Sequence, residues 1–268
     1  FSRIALKVSM IFTNRSISVM VTPYPPTKVK ANNEDLTVEN AELEKLSALD
    51  RIAWAWDRFG EGLIVSTSFG LQSAVMLHLV RQVSDRIPVV FVDTGYLFTE
   101  TYEYAKTLRE KIGFSEKIYS ASMSPANQEA LYGKLWEKGK EGMLKYNFIN
   151  KKEPMERALG ELKATAWLAG LRRSQSEDRQ DRSFAEWQGE ILKVYPILDW
   201  DDRKTYQYIP DHDLPYHPLE GVGYDSLGDH HSTEKVSDSG SKEDSRHGGH
   251  GRECGLHVDL PEGYDFTV

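Results

Sequence analysis

Cys254 is the one cysteine of the chain, and it has the strongest chemical signature in the sequence. It lies in the run Arg252-Glu253-Cys254-Gly255-Leu256-His257, beside a cation and an imidazole that both favour the thiolate over the thiol. A thiolate is a nucleophile that can form a covalent intermediate. Because there is no second cysteine, an intrachain disulfide, a Cys-x-x-Cys redox pair and a four-cysteine iron–sulfur cluster are excluded. The sequence therefore predicts a reactive thiol without an internal partner.

The same segment also carries side chains that bind zinc. They are His247, His250, Cys254 and His257, with His230 and His231 further upstream. Their spacing matches none of the usual finger patterns, and the intervening glycines give a metal site little outer support. We therefore expect no bound metal, and zinc stays an alternative interpretation.

Polar or charged residues follow each of three predicted strands. The strand Leu63–Val65 is followed by Ser66-Thr67-Ser68-Phe69-Gly70, and the strand Ile87–Val92 is followed by Asp93-Thr94-Gly95. The third strand, Ala164–Gly170, is followed by Arg172 and Arg173. A predicted helix from Leu71 to Leu79 separates the first two strands, which is the pattern of a parallel βαβ unit. Ligands bind at the carboxyl ends of such strands, and these side chains suit a nucleotide.

Each of these motifs also has a purely structural interpretation. Ser66-Thr67-Ser68 precedes a helix, where it would either bind a phosphate or simply cap the helix. Arg172 and Arg173 fit a solvated charged face as well as an anion site. Lys151-Lys152-Glu153-Pro154 fits a helix start with Pro154 in its first turn. Taken singly, the motifs leave the function open.

Length and charge narrow the class of protein. The 268 residues are enough for a hydrophobic core that is stable without disulfides or structural metals. The net charge of −8 argues against binding to a nucleic-acid polymer. No apolar run reaches the roughly 18 residues of a membrane-spanning helix. The remaining predicted elements are helices at Thr37–Gly60 and Thr99–Ile112 and strands at Lys117–Tyr119 and Leu192–Leu198.

Composition divides the chain into three parts. The first 33 residues contain five basic side chains and no acidic one, which is typical of an organelle transit peptide and also of a disordered tail. From Ser232 to Gly251 the only aliphatic side chain larger than alanine is Val236, so this stretch cannot bury itself. We predict a leader or tail at 1–36, a nucleotide-binding domain at 37–228 and a flexible arm at 229–268.

Eight motifs follow one another in the order found in a known family. They are Ser66–Gly70, Asp93-Thr94-Gly95-Tyr96-Leu97-Phe98, Tyr132-Gly133-Lys134-Leu135-Trp136, Lys151 with Glu153-Pro154, Gly170-Leu171-Arg172-Arg173-Ser174-Gln175-Ser176, Tyr216-His217-Pro218-Leu219, Gly223-Tyr224, and Arg252–His257. Over about Leu46 to His257 the chain resembles the sulfonucleotide reductases of sulfate assimilation, in particular the cluster-free phosphoadenylyl-sulfate (PAPS) reductases.

The resemblance implies a Rossmann-like α/β fold of the adenine nucleotide α-hydrolase kind, with a mostly parallel sheet. The loop Ser66–Gly70 would be a modified pyrophosphate loop without the glycines and aspartate of ATP-cleaving relatives. Cys254 would be the nucleophile, with Arg252 and His257 beside it. The nucleotide, phosphate and sulfate groups would be held by Ser66, Thr67, Ser68, Phe69, Gly70, Gln72, Asp93, Thr94, Gly95, Tyr96, Lys151, Arg172, Arg173 and Arg246.

General chemistry agrees with this implication. A thiolate that attacks the sulfur of a phosphate–sulfate anhydride brings two anions together, so the site needs cations. The products would be an S-sulfocysteine at Cys254 and adenosine 3′,5′-bisphosphate. An external thiol would then release sulfite, and the family uses thioredoxin or glutaredoxin.

The chain also departs from parts of the family. In cluster-bearing adenylyl-sulfate (APS) reductases, a Cys-Cys pair and a Cys-x-x-Cys pair bind a 4Fe–4S centre, and the matching positions here are Tyr146-Asn147 and Asp229…Ser232. We expect no iron–sulfur cluster and no other bound cofactor. Within the family, the absence of a cluster usually accompanies PAPS as substrate. No physical step requires this correlation, so APS stays open as an alternative substrate. Gly248–Gly251 stand where relatives carry bulkier or basic residues, which weakens the placement of Arg246.

Two other classes of protein stay open, an ATP-cleaving pyrophosphatase and a non-catalytic nucleotide-binding or zinc-binding module. The expected partners are the nucleotide and thioredoxin or glutaredoxin, without nucleic acid or membrane. A homodimer stays open because relatives are often dimers. An unpaired thiol that needs a reductant indicates a reducing compartment, either the plastid stroma or the cytoplasm.

Overall fold

A single six-stranded sheet organises the residues that the structure, a computed structural model, describes, namely 35–239. The strands are β1 Leu63–Thr67, β2 Val89–Asp93, β3 Glu116–Ser120, β4 Ala166–Leu168, β5 Ala185–Gln188 and β6 Ile191–Val194. Their order across the sheet is β3-β2-β1-β4-β6-β5. All neighbours are parallel except β5, which runs antiparallel to β6 at the edge. The predicted α/β fold with a mostly parallel sheet is confirmed.

Helices cover both faces of the sheet. Those in the described residues are α1 Thr37–Leu43, α2 Ala48–Phe59, α3 Ser73–Val83, α4 Thr99–Leu108, α5 Pro125–Tyr132, α6 Gly139–Asn147, α7 Glu153–Glu161, α8 Asp202–Asp211 and α9 Val236–Ser239. Two π-helical turns, Arg109–Gly113 and Phe148–Lys152, follow α4 and α6. Within 35–239 no helix has the length and apolar character needed to cross a membrane.

The helix predicted at Thr37–Gly60 is two helices. The hydroxyl oxygen of Ser47 accepts a hydrogen bond from the backbone N–H of Asp50 at 3.2 Å, so Ser47 caps a new helix and ends the old one. The predicted stop at Gly60 is confirmed, since α2 ends at Phe59 and Gly60 has a φ of +50°.

The chain reverses its direction across the sheet between β1 and β4. It runs from β1 outward to β2 and β3, and then returns to place β4 and β6 on the other side of β1. The crevice beyond the carboxyl ends of β1 and β4 is the switch point at which open α/β sheets bind ligands. The fold therefore gives the loops after β1, β2 and β4 a common position.

Two apolar layers hold this sheet. The larger includes Leu63, Val65, Val75 and Phe91 with α2 and α3, and the smaller includes Trp167 with residues of α7 on the opposite face. Alternate residues of β1 enter the two layers, as the period of a strand requires. Both faces of β1 and β2 are buried over most of their length, which explains why these two strands are nearly continuous apolar runs.

The predicted boundary at residue 229 is too early. Asp229, Ser232 and Thr233 are buried, and the backbone N–H of His230 donates to the carbonyl of Tyr96 at 2.8 Å. Residues 229–233 therefore pack on the loop after β2, because that loop supplies hydrogen-bond partners for their polar groups. The remaining division into leader, domain and arm stays a prediction.

Candidate active site

The loop after β1 does not cap the following helix. α3 begins at Ser73, and its N-cap residue Gln72 makes no capping hydrogen bond. The hydroxyl of Ser66 accepts from the indole N–H of Trp167 at 2.7 Å, and that of Thr67 accepts from the N–H of Phe69 at 3.0 Å. The capping interpretation of this motif is therefore wrong, because α3 begins only at Ser73, the Ser66 hydroxyl joins β1 to β4, and the Thr67 hydroxyl shapes the turn at Phe69.

Phe69 is a predicted site residue whose side chain belongs to the core. Its backbone has a φ of +50°, which is rare for a residue with a Cβ, and its ring packs at 4.9 Å from that of Phe91. The buried ring holds the backbone in this conformation. Phe69 can therefore meet a ligand only through its main chain, whereas Ser68 next to it is exposed.

The loop after β2 is organised by the carboxylate of Asp93. One oxygen, Oδ1, accepts from the N–H of Gly95 at 2.8 Å and from the hydroxyl of Tyr102 at 2.7 Å. Burial and the bond to Asp93 raise the pKa of Tyr102, so its hydroxyl stays protonated and donates. Gly95 has a φ of +74°, and a Cβ there would lie 2.7 Å from Cγ of Pro125. Only glycine fits this turn.

Lys151 reaches the site from a π-helical turn. The turn Phe148–Lys152 inserts between α6 and α7, and such turns are frequent at functional sites. The buried amides of Gln128 and Asn150 bond to each other at 2.8 and 2.9 Å and hold the turn against α5. As predicted, Pro154 lies in the first turn of the next helix, α7.

A buried ion pair joins Lys151 to Asp229. The distance from Nζ to Oδ2 is 2.8 Å, and the two side chains are 6% and 1% exposed. The other carboxylate oxygen accepts a hydrogen bond from the hydroxyl of Thr94. Burial alone would raise the pKa of Asp229, but the charge and hydrogen bond of Lys151, with the bond from Thr94, hold it well below its usual range. Asp229 is therefore ionised at neutral pH.

An aromatic cluster encloses this ion pair. Its rings are those of Tyr96, Trp136, Tyr146 and His231, with His231 stacked on Trp136 at 3.8 Å between ring centres. The ammonium group of Lys151 lies 5.5 Å from the centre of the Tyr146 ring. Burial lowers the pKa of His231 to about 4, so the imidazole is neutral at pH 7. The cluster therefore shields the ion pair from water without adding charge.

Of the positions that the resemblance matches to the cluster cysteines of APS reductases, Tyr146 and Asp229 both lie at this ion pair. Tyr146 from α6 touches His231, which lies between Asp229 and Ser232 in the chain. Helix α6 and the segment after residue 228 are distant in sequence, so their contact is a result of the fold. Within 35–239 no group of three or more metal-binding side chains is present.

Arg172 is the cation at the end of β4. Its guanidinium group donates to the carboxylate of Asp202 at 2.7 Å and to the side-chain oxygen of Gln72. The side chain is 4% exposed, while that of Asp202 is 56% exposed. Gly170 makes the close approach to α3 possible, because a Cβ there would lie 2.8 Å from Cγ of Met76. The structure thus brings together Gln72 and Arg172, both of which are predicted site residues.

Arg173 does not join Arg172. Its guanidinium group donates to the carbonyl of Arg182 at 2.8 and 3.1 Å and lies 5.1 Å from the ring centre of Phe184. The backbone of Arg172 is extended, with φ −130° and ψ 143°, so neighbouring side chains point to opposite sides. The expectation that both arginines face one anion is therefore not met.

Four predicted site residues lie outside the described residues. They are Arg246, Arg252, Cys254 and His257. Their roles stay predictions from the sequence. The described part of the site consists of the three loops at the switch point, with Lys151 and Arg172 as its buried cations.

The sequence motifs assign no role to Asp229 and do not distinguish Tyr102 from the other tyrosines. The resemblance matches Asp229 only to a cluster cysteine, and nothing in the neighbouring residues indicates that its carboxylate pairs with Lys151, which is 78 positions away. Tyr102 is one of 13 tyrosines, and nothing in its neighbours distinguishes it. Both residues act through partners that are distant in sequence or lie across a loop.

The arrangement is suited to an anionic ligand. Neighbouring strands are about 4.8 Å apart, so the ends of β2 and β4 are separated by about 10 Å, with the β1 loop between them. A cation stands beside each of these two ends, and the loop between them offers hydroxyl and backbone groups. Open α/β sheets bind nucleotides at such a crevice, and the two cations suit the charged groups of a nucleotide.

The mostly parallel sheet with helices on both faces is a fold of the adenine nucleotide α-hydrolase kind. In fold alone, the chain is similar to the FMN adenylyltransferase of Candida glabrata solved with FAD and inorganic pyrophosphate, with a TM-score of 0.52 and 13% identity. That match covers 79% of this chain and 69% of the other.

Relatives of higher identity define the family within this class. Residues 62–235 match the family model described as phosphoadenosine phosphosulfate reductase domain. The chain is 53% identical over 222 residues to the phosphoadenosine 5′-phosphosulfate reductase of Salmonella newport strain SL254, covering 83% of this chain and 91% of that protein. It is 50% identical over 222 residues, with the same coverage, to the protein of that name from Zymomonas mobilis. This chain belongs to the phosphoadenosine phosphosulfate reductase family.

A solved structure agrees with this membership. The PAPS reductase of Candida auris, crystallised as a phosphate complex, has a TM-score of 0.68 and 29% identity to this chain. The match covers 78% of this chain and 100% of that one. The resemblance that the sequence motifs indicate is confirmed.

Proposed function

We propose that this protein reduces 3′-phosphoadenylyl sulfate to sulfite and adenosine 3′,5′-bisphosphate, with Cys254 as the nucleophile. The observation that carries the proposal is family membership together with buried Lys151 and Arg172 beside the ends of β2 and β4. The chain has one thiol, so the reaction needs a reductant from outside.

The first step transfers the sulfonate group. The thiolate of Cys254 attacks the sulfur of the phosphosulfate, an S–S bond forms, and the bond between sulfur and the bridging oxygen breaks. The electron pair of that bond leaves on the 5′-phosphate of adenosine 3′,5′-bisphosphate. Lys151 and Arg172 would screen the approach of the thiolate and stabilise charge on the departing phosphate.

The second step uses an external dithiol, for which thioredoxin or glutaredoxin is the expected source. Its thiolate attacks the Cys254 sulfur, sulfite leaves with the electron pair of the S–S bond, and a mixed disulfide remains. The second thiol of the reductant then attacks this disulfide and restores the Cys254 thiolate. Two thiols are oxidised to one disulfide for each sulfite formed.

The surroundings of this chemistry are also proposed. A catalytic thiol that must return to its reduced form fits a reducing compartment, either the plastid stroma or the cytoplasm. We expect no iron–sulfur cluster and no other resident cofactor, since the sequence lacks the cysteines that a cluster requires.

The test is sulfite release by the purified full chain with PAPS or APS and excess reduced thioredoxin. We expect faster turnover of PAPS, and we expect Cys254→Ser to abolish sulfite release while it keeps the affinity for nucleotide. Faster turnover of APS would assign the same chemistry to the nucleotide without a 3′-phosphate. ATP cleavage that survives Cys254→Ser, or nucleotide binding without sulfite, would contradict the proposal.

A further inference from the structure

We propose that Asp229 is a positioning residue that fixes the ammonium group of Lys151 for the reaction. The inference rests on the proposed function, in which Lys151 contacts the phosphosulfate group. It assigns to Asp229 an action through Lys151 and no contact with the substrate.

The carboxylate of Asp229 is held at three points. Its Oδ1 accepts from the hydroxyl of Thr94, its Oδ2 lies 2.8 Å from Nζ of Lys151, and its backbone bridges to Leu97 beside the end of β2. The following N–H, of His230, is bonded to the carbonyl of Tyr96. Asp229 therefore cannot follow a lysine that moves, and it acts as a fixed anchor.

Lys151 keeps donors for a ligand while it is anchored. An ammonium group has three N–H donors on a flexible stem, and the ion pair with Asp229 occupies one side of it. The ring of Tyr146 faces the group at 5.5 Å and restricts its motion further. The remaining N–H groups are thus presented in one direction, which a lysine without the anchor would not maintain.

The charges indicate that Asp229 positions Lys151 and does not help to attract the nucleotide. A neutral ion pair attracts an anion less strongly than a free cation does, so Asp229 weakens the pull of Lys151 on a bound nucleotide. Asp229 weakens the attraction of the nucleotide and is nevertheless buried beside Lys151, so we infer that it contributes by holding the ammonium group in place. The structure therefore predicts a split, in which loss of Asp229 harms turnover and spares or strengthens nucleotide affinity.

The experiment compares Asp229→Asn, Asp229→Glu, Lys151→Met and the double variant Asp229→Asn/Lys151→Met in the full chain. Sulfite release with PAPS gives kcat and KM, and calorimetry gives the Kd of adenosine 3′,5′-bisphosphate. We expect Asp229→Asn to lower kcat by about tenfold or more, since small displacements of a positioned group have effects of that size. The Kd should stay equal or fall, and Asp229→Glu should recover part of kcat.

The double variant separates positioning from a general loss of structure. If Asp229 acts through Lys151, the double variant is no slower than Lys151→Met alone. The matched control is Asp199→Asn, which breaks the ion pair with buried Arg51, whose Nη1–Oδ1 distance is 2.6 Å. This control should lower the melting temperature and leave kcat unchanged.

A wild-type kcat in Asp229→Asn, or effects of the two single variants that multiply in the double variant, would overturn the inference while the proposed function stands. If wild-type protein releases no sulfite, the proposed function fails and the inference fails with it. If Asp229→Asn does not fold, Thr94→Val decides, because it removes the hydroxyl that donates to the carboxylate and that also accepts from the N–H of Tyr96 at 3.3 Å. A lower kcat with unchanged Kd then supports the inference, and an unchanged kcat overturns it.

Discussion

Arg172 and Arg173 are adjacent in the chain, but their guanidinium groups lie on opposite sides of the segment that follows β4. Arg172 contacts Gln72 and Asp202 at the switch point, whereas Arg173 contacts the carbonyl of Arg182 and the ring of Phe184 near the edge strand β5. The sequence treats the two as one basic motif. The structure assigns them different tasks, and this difference can be measured.

We predict that Arg172→Ala raises the Kd of PAPS by about tenfold or more, because charge-assisted hydrogen bonds contribute about 1.5–3 kcal/mol. Arg173→Ala is the matched control. It should lower the free energy of unfolding by about 1 kcal/mol through loss of its carbonyl and ring contacts and leave the Kd unchanged. Calorimetric titration and urea unfolding of both variants measure the two effects. Equal losses of affinity would show that both arginines meet the ligand.

Gly95 tests the close approach in the loop after β2. Gly95→Ala introduces a Cβ 2.7 Å from Cγ of Pro125 at a φ of +74°, so the loop that carries Asp93 and Tyr96 must shift. Gly113→Ala has nearly the same backbone strain, with a φ of +77°, but no atom lies within 4 Å of its Cβ. We expect Gly113→Ala to cost about 1 kcal/mol of stability and Gly95→Ala to cost more.

The two glycine variants should also differ in binding. Only Gly95→Ala should weaken nucleotide affinity, because only that substitution moves the loop at the site. Calorimetric titration with adenosine 3′,5′-bisphosphate measures this. An unchanged affinity in Gly95→Ala would remove the loop after β2 from the site.

His231 gives the stability a pH dependence. Burial lowers its pKa from 6.5 to about 4, and the charge of Asp229 opposes this only in part. Above pH 6.5 the imidazole is mainly neutral in both the folded and the unfolded state, so His231 does not lower the free energy of unfolding there. Between 6.5 and about 4 only the unfolded state takes up the proton, and the free energy of unfolding falls as the pH falls.

His231→Phe should make this decline shallower. The phenyl ring keeps the stack on Trp136 and removes two ring nitrogens that have no hydrogen-bond partner on another residue within 35–239. His217, whose pKa is also lowered to about 4 by burial, stays in the variant and maintains part of the slope. Urea unfolding at several pH values between 4 and 7 measures both slopes. Parallel curves for the two proteins would contradict the assignment to His231.

The sequence predicts the elements whose signals are local. The apolar runs of β1 and β2, the stop at Gly60 and the proline in the first turn of α7 each depend on a few neighbouring residues. These features are confirmed because strand period, glycine φ and proline φ act within one turn of chain.

The sequence does not predict the features that depend on distant partners. The edge strand β5 has a half-buried pattern and forms only by pairing with β6, and the aromatic cluster joins α6 to residues beyond 228. The ion pair of Lys151 and Asp229 joins positions 78 residues apart in the numbering. Lone polar residues carry no mark of such a partner, and a motif of two adjacent arginines does not reveal which side each will face.

The most direct test of the proposed reaction is the mass of the protein after incubation with PAPS in the absence of any other thiol. The account predicts one added sulfonate, located on the peptide that contains Cys254, and its complete release as sulfite when reduced thioredoxin is added. Sulfite formation by a protein whose Cys254 has been alkylated, or an unmodified Cys254 in a sample that has consumed PAPS, would contradict it.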